Sequence, residues 1–138
     1  PLDLNLYQAV KSMAIGELAV KEGGTIISVN ECRDGVGQEK FEELINMDLT
    51  PEDLFEKVTN REIWCKDSWE IQVMTRVMSL ASVYVISDMK EEELGTLGLK
   101  YAESVEDAVR QCGKECQGDI RVLVLPDGPM AIPKMQVV

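Results

Sequence analysis

The stretch Thr25-Ile26-Ile27-Ser28-Val29, followed at once by Asn30-Glu31-Cys32-Arg33-Asp34-Gly35-Val36-Gly37, decides the fold class of this 138-residue chain. A β-branched run that breaks into polar, glycine-containing chain reads as a strand leaving its sheet through a loop toward a helix. Upstream, apolar residues at Leu6, Ala9, Val10, Met13, Ala14 and Leu18 recur at helical spacing and predict a helix over Asn5 to Val20, stopped by Lys21-Glu22-Gly23-Gly24. Downstream, a helix is expected from Gln38 to Met47, and another from Pro51, with Thr50 as its cap, to about Asn60. A longer helix from about Asp67 to Ala81 carries Trp69, Val73, Val77 and Leu80 along one side and leads into the strand Ser82-Val83-Tyr84-Val85-Ile86-Ser87. Gly98 to Ala102 reads as a short strand, Ser104 caps a helix running to about Cys116, and Ile120-Arg121-Val122-Leu123-Val124-Leu125 reads as the most strand-like run of all. Helices alternating with strands predict an α/β fold: a layered, largely parallel or mixed sheet of about four strands flanked by helices, with its ligand crevice at the strand carboxyl ends.

Composition narrows the function classes. A chain of 138 residues with 45% hydrophobic content is the size of one domain, here taken as residues 1–138. A net charge of −11 argues against nucleic acid and acidic membranes, which reward clustered Lys and Arg. No apolar run approaches the roughly 20 residues that span a bilayer, and no basic segment leads into an apolar core, so a cytoplasmic location is expected. A chain that begins with Pro1 rather than Met predicts a piece of something longer. Cys32, Cys65, Cys112 and Cys116 lack metal-site spacing and read as small buried hydrophobes. There is no histidine, so Ser-His-Asp and Cys-His arrangements cannot be assembled from this chain alone.

Among polar constellations the opening helix stands out. Tyr7, Gln8 and Lys11 fall within an arc of about 100° on one helical face, so a phenol, a carboxamide and an ammonium can converge on one small anion. A cation near a helix N-terminus opposes the macrodipole, which points to a ligand rather than to helix stability. The loop Glu31 to Gly37 lacks the third glycine of a dinucleotide fingerprint and any Gly-Lys-Ser/Thr, and reads as a plain strand-to-helix turn in which Arg33 pairs with Glu31 or Asp34. By residue type alone, Trp69 and Trp64 read as packing residues, and Leu125 to Pro133 as a chain end passing over the sheet edge.

The segments Pro1-Leu2-Asp3 through Lys11, Val20-Lys21-Glu22-Gly23-Gly24-Thr25-Ile26-Ile27 and Glu31-Cys32-Arg33-Asp34-Gly35-Val36-Gly37, in that order and spacing, resemble the C-terminal domain of the nickel-pincer lactate racemase family. Asp67-Ser68-Trp69-Glu70-Ile71-Gln72 and Val124-Leu125-Pro126-Asp127-Gly128 extend the resemblance over most of the chain. It implies the C-terminal half of a two-domain enzyme that racemises or epimerises 2-hydroxy acids, with a nickel–pincer nucleotide between its halves. In such an enzyme a hydride passes between the substrate's α-carbon and the cofactor while a histidine handles the hydroxyl proton. The catalytic histidines and the lysine that tethers the cofactor belong to the N-terminal half. This chain would then contain no catalytic or metal-ligating residue and no assignable cofactor contact. It would supply substrate-binding residues: the Tyr-Gln-x-x-Lys helix start, here Tyr7, Gln8 and Lys11, and a substrate-side tryptophan, here Trp69. Lys11 would bind the carboxylate, Gln8 would bond a substrate oxygen or organise Lys11, and Tyr7 would close the pocket. The expected partners are the N-terminal domain of the same chain and a small 2-hydroxy acid. Two other readings stay open: a stand-alone small-anion-binding or regulatory α/β module, and a protein-interaction domain whose acidic surface steers a basic partner.

Overall fold

The computed structural model describes residues 2–115 and 120–134; Pro1 and Cys116, both invoked above, lie outside the described residues. The described residues form α1 (Leu6–Glu17), β1 (Thr25–Val29), α2 (Glu39–Ile45), α3 (Pro51–Thr59), α4 (Ser68–Leu80), β2 (Ser82–Ile86), β3 (Lys100–Tyr101) and α5 (Val105–Glu115). The strands make one parallel sheet in the order β1-β2-β3, with Thr25 opposite Ser82 and Tyr84 opposite Lys100. Alternation along the strands separates two apolar layers. Ile26, Val83 and Val85 point into the main core with Leu6, Val10, Met13, Ile71, Met74 and Val77 of α1 and α4. Tyr84 points the other way, into a small cluster with Ala108 and Cys112 of α5, flanked by Ile27 and Ile86. The central strand β2 is thereby covered on both faces, as parallel sheets require.

The caps read from the sequence at Thr50 and Ser104 hold, and Asn5, expected inside the first helix, adds one at the start of α1. Asn5 accepts the Gln8 amide at 2.9 Å, Thr50 the Asp53 amide at 3.1 Å and Ser104 the Asp107 amide at 3.1 Å. The first helix ends at Glu17, earlier than the glycines that were expected to stop it. On α4 the buried face is Ile71, Met74, Thr75 and Val77, so the expected stripe through Trp69 is rotated: Trp69 is 52% exposed. Trp64, expected to pack, is 74% exposed, with the Arg61 guanidinium 5.8 Å from its ring centroid. The run Ile120–Leu125 forms no strand. It passes as irregular chain along a groove beside β1, with Val122, Leu123 and Val124 exposed, and the turn Gly128–Met130 then returns against α1. Strand propensity rewards packing on a half-buried pleated surface, and this run has no covered face to lie on.

The loop after β1 holds the start of α1. Cys32 N–H donates to Asp3 O at 2.7 Å, Asp34 N–H to Leu4 O at 2.8 Å, Leu6 N–H to Gly35 O at 2.9 Å and Tyr7 N–H to Val36 O at 3.1 Å. The turn needs left-handed backbone at Gly35 (φ 64°) and Gly37 (φ 100°), and a Cβ on Gly37 would sit 2.6 Å from Cγ of the capping Asn5, whereas one on Gly35 meets nothing within 4 Å. The expected ion pair of Arg33 with Glu31 or Asp34 is not formed among the described residues; Arg33 is exposed. Cys32 is buried under this loop, and burial first, then the charges of Asp3 and Asp88, push its thiol up to about 11.

Two outcomes follow from this packing. Gly35→Ala is expected to cost about 1 kcal/mol for its left-handed backbone, and Gly37→Ala about 3 kcal/mol because it also displaces the helix cap; equal losses in urea unfolding would contradict the contact with Asn5. At pH 8, iodoacetamide followed by mass spectrometry is expected to mark the partly exposed Cys65 well before Cys32.

Candidate functional site

Connectivity decides where the site lies. Each of α1 and α4 runs into the strand that follows it, so both helices lie antiparallel to the parallel strands and both N-termini stand at the carboxyl edge of the sheet. The two helices pack on each other, and at their far ends Arg76 Nε and Nη2 donate to Glu17 Oε1 and Oε2 at 2.9 and 2.7 Å. Tyr7, Gln8 and Lys11 sit on the first turns of α1, and Trp69 and Glu70 on the first turn of α4.

All four residues singled out in the sequence meet here. Lys11 Nζ donates to Gln8 Oε1 and stands 5.9 Å from the Tyr7 ring centroid. The Tyr7 ring is held edge-on by Phe41 of α2 at 5.5 Å and by Trp69 at 6.4 Å, both T-shaped pairs. Tyr7 is 7% exposed, Gln8 and Lys11 are partly buried, and Trp69 keeps about half its surface in solvent. Trp69 and Asp67 also line a groove of about 520 Å³ that continues to Trp64 and Val58. The reading of Trp69 as core is therefore replaced by that of a half-exposed ring at the rim of the cluster.

The amides of α1 are already occupied. Leu6 and Tyr7 donate to the loop carbonyls and Gln8 to Asn5, so the first turn offers no free backbone cradle for an anion. An anion at this end must be met by side chains, and Lys11 is the cation present in the cluster. Burial, with Asp67 and Glu70 adding to it, raises the Tyr7 phenol above its usual value, so it stays a neutral hydrogen-bond donor at neutral pH.

Sequence reading passed over Glu70. It is 1% exposed, its Oε1 has no hydrogen-bond partner among the described residues, and it titrates at about 7, raised first by burial and then by Asp67, with Lys11 pulling the other way. The available signal was its place three residues into a helix after an acidic cap position, where a glutamate usually reaches back to the cap amide. Here Asp67 has φ 64° and makes no side-chain cap bond. Among the described residues no group of three or more His, Cys, Asp or Glu is placed to hold a metal ion, and no helix is long and apolar enough to cross a membrane.

Comparison with known proteins places this geometry. The lactate racemase of Lactiplantibacillus plantarum is 36% identical over 137 residues, covering 97% of this chain and 32% of the relative. That of Thermoanaerobacterium thermosaccharolyticum is 33% identical over 135 residues, covering 96% and 32%. The solved structure of the lactate racemase apoprotein from the latter organism superposes with a TM-score of 0.88 at 32% identity, over 96% of this chain and 32% of that one. The chain thus spans about a third of the length of these relatives. The model of the lactate racemase C-terminal domain matches residues 1–132, and the chain belongs to that family.

Proposed function

We propose that this chain is one domain, the C-terminal part of a two-domain enzyme that racemises or epimerises a small, lactate-like 2-hydroxy acid, and that it holds the substrate's carboxylate. The observation that carries the reading is the convergence of Tyr7, Gln8, Lys11 and Trp69 at the carboxyl edge of the sheet, where one ammonium neighbours a carboxamide and the Tyr7 ring, itself packed on Trp69. Gln8 takes one donor of Lys11 and fixes its direction, leaving the others for a carboxylate. The Tyr7 phenol and the exposed edge of Trp69 close one side and exclude water, which strengthens the charge contact. Held in this way, the α-carbon presents its hydrogen in a fixed direction, and orientation of that kind is worth several kcal/mol of the barrier.

Proton and hydride transfer fall to the rest of the parent protein, because this chain has no histidine. A nickel–pincer nucleotide, which supplies hydride acceptance when bound, is on this reading held chiefly by the N-terminal domain, since among the described residues no group of three or more His, Cys, Asp or Glu is placed around one point. The N-terminal domain of the same chain is accordingly the principal partner.

In the full-length protein, Lys11→Ala is expected to lower kcat/KM for lactate racemisation at least tenfold to a hundredfold, the equivalent of one charged hydrogen bond, while changing stability by less than about 1 kcal/mol. Trp69→Ala is expected to raise KM with little change in melting temperature. Unchanged kinetics in the Lys11 variant would sink the reading, and lactate binding without turnover in the wild type would favour an anion-binding module instead.

A further inference from the structure

We propose that Glu70 is a positioning residue of the Lys11 site, and that binding of a substrate carboxylate at Lys11 is coupled to uptake of one proton by the Glu70 side chain. The inference rests on the reading of Lys11 given above. It begins from a placement that stability does not explain. A carboxyl that is 1% exposed, with one oxygen lacking any partner among the described residues, is costly to keep in a fold. The ordinary use for a glutamate at this helix position, bonding the cap amide, is not made; instead the Glu70 amide donates to Asp67 O at 3.0 Å and the side chain is buried.

The charges around Glu70 make its ionisation responsive to a ligand. From α1 it is faced by Lys11, which favours the carboxylate, and by the Tyr7 phenol; from its own helix by Asp67, which opposes it. The helix α2 contributes the apolar Phe41 to this region, while its Glu39, Lys40, Glu42 and Glu43 are exposed. On α3, Glu52, Asp53 and Glu56 are exposed and Lys57 is paired with Glu62. The strand β2 sends Val83 and Val85 toward this face of the sheet. Lys11 is therefore the cation that the surroundings offer to Glu70, and a substrate carboxylate competes for it. With Glu70 ionised, the ligand is a second anion in the field of one ammonium, in a place where burial weakens screening. With Glu70 protonated, the full charge of Lys11 is available, and the buried carboxyl oxygen without a partner no longer carries charge. The proton comes from solvent and returns there on release.

The sign follows from linkage. Glu70 titrates at about 7 in the free protein, so if the bound form stays protonated the affinity for a carboxylate falls as pH rises, by about tenfold between pH 6 and pH 8. The test is calorimetric binding of lactate to the full-length protein. Wild type is expected to show that tenfold weakening and, at pH 8, uptake of most of one proton, read from the difference between two buffers of unlike ionisation enthalpy. Glu70→Gln, which mimics the protonated form, is expected to bind with less than about twofold pH dependence and no proton uptake, and to melt at or above the wild-type temperature at pH 8, where it removes a buried charge. A residue that merely packs would leave the pH profile alone.

If Glu70→Gln keeps the wild-type pH dependence, or wild type binds lactate without taking up a proton, the inference falls while the Lys11 reading stands. Absence of proton uptake can be read on wild-type protein alone, so the inference stays open to refutation even if the variant fails to fold, while Glu70→Gln assigns any uptake to Glu70 rather than to histidines of the N-terminal half. If wild type binds no lactate at any pH, the Lys11 reading and this inference fall together.

Discussion

The arrangement at the carboxyl edge depends on the main-chain latch between the loop after β1 and the residues that open α1. Cys32 and Asp34 donate backward to Asp3 and Leu4, and Gly35 and Val36 accept from Leu6 and Tyr7. These bonds join two segments about 30 residues apart and set the height of the first helical turn against the sheet. They also consume the donors that a helix N-terminus would otherwise present, so the fold gives up a backbone anion site there. Recognition passes to side chains, whose reach is longer and whose chemistry is more specific.

That exchange accounts for the lysine that opposes the helix dipole. A cation in the second turn of α1 gains nothing from the helix dipole, and here it is held by Gln8 and stands close to the Tyr7 ring in a chain of net charge −11. The cluster sets a single ammonium at the carboxyl edge of a chain that is acidic overall. Glu70 tempers it from within the core. The dipole of α4 and Lys11 favour its carboxylate, burial and Asp67 favour its acid, and the balance near neutrality leaves its protonation open to a ligand's charge.

Much of the fold was legible in local pattern. The caps at Thr50 and Ser104, the β-branched runs of β1 and β2, and the alternation of helix and strand each follow from interactions within a few residues, which is why the α/β class and most boundaries could be read. The site was legible in part. Tyr7, Gln8 and Lys11 share a helical face by spacing alone, while the meeting of Tyr7 with Trp69, 62 positions later, needed the resemblance to suggest it and the packing of α1 on α4 to produce it. Where pattern failed, burial was the reason. Ile120–Leu125 has the composition of a strand but no surface to complete it, and the ring of Trp64 lies outside the core despite its size.

The sequence by itself determined where the helices and the strands β1 and β2 lie, and which polar groups share the first face of α1, because propensity, capping and a 3.6-residue period act over short distances. Only the tertiary structure decided that Glu70 is enclosed, that Trp69 stands at a rim, and that the loop of Gly35 and Gly37 holds the start of α1. A residue's exposure and the charge of a buried acid depend on neighbours brought from distant segments, and no local pattern carries that information.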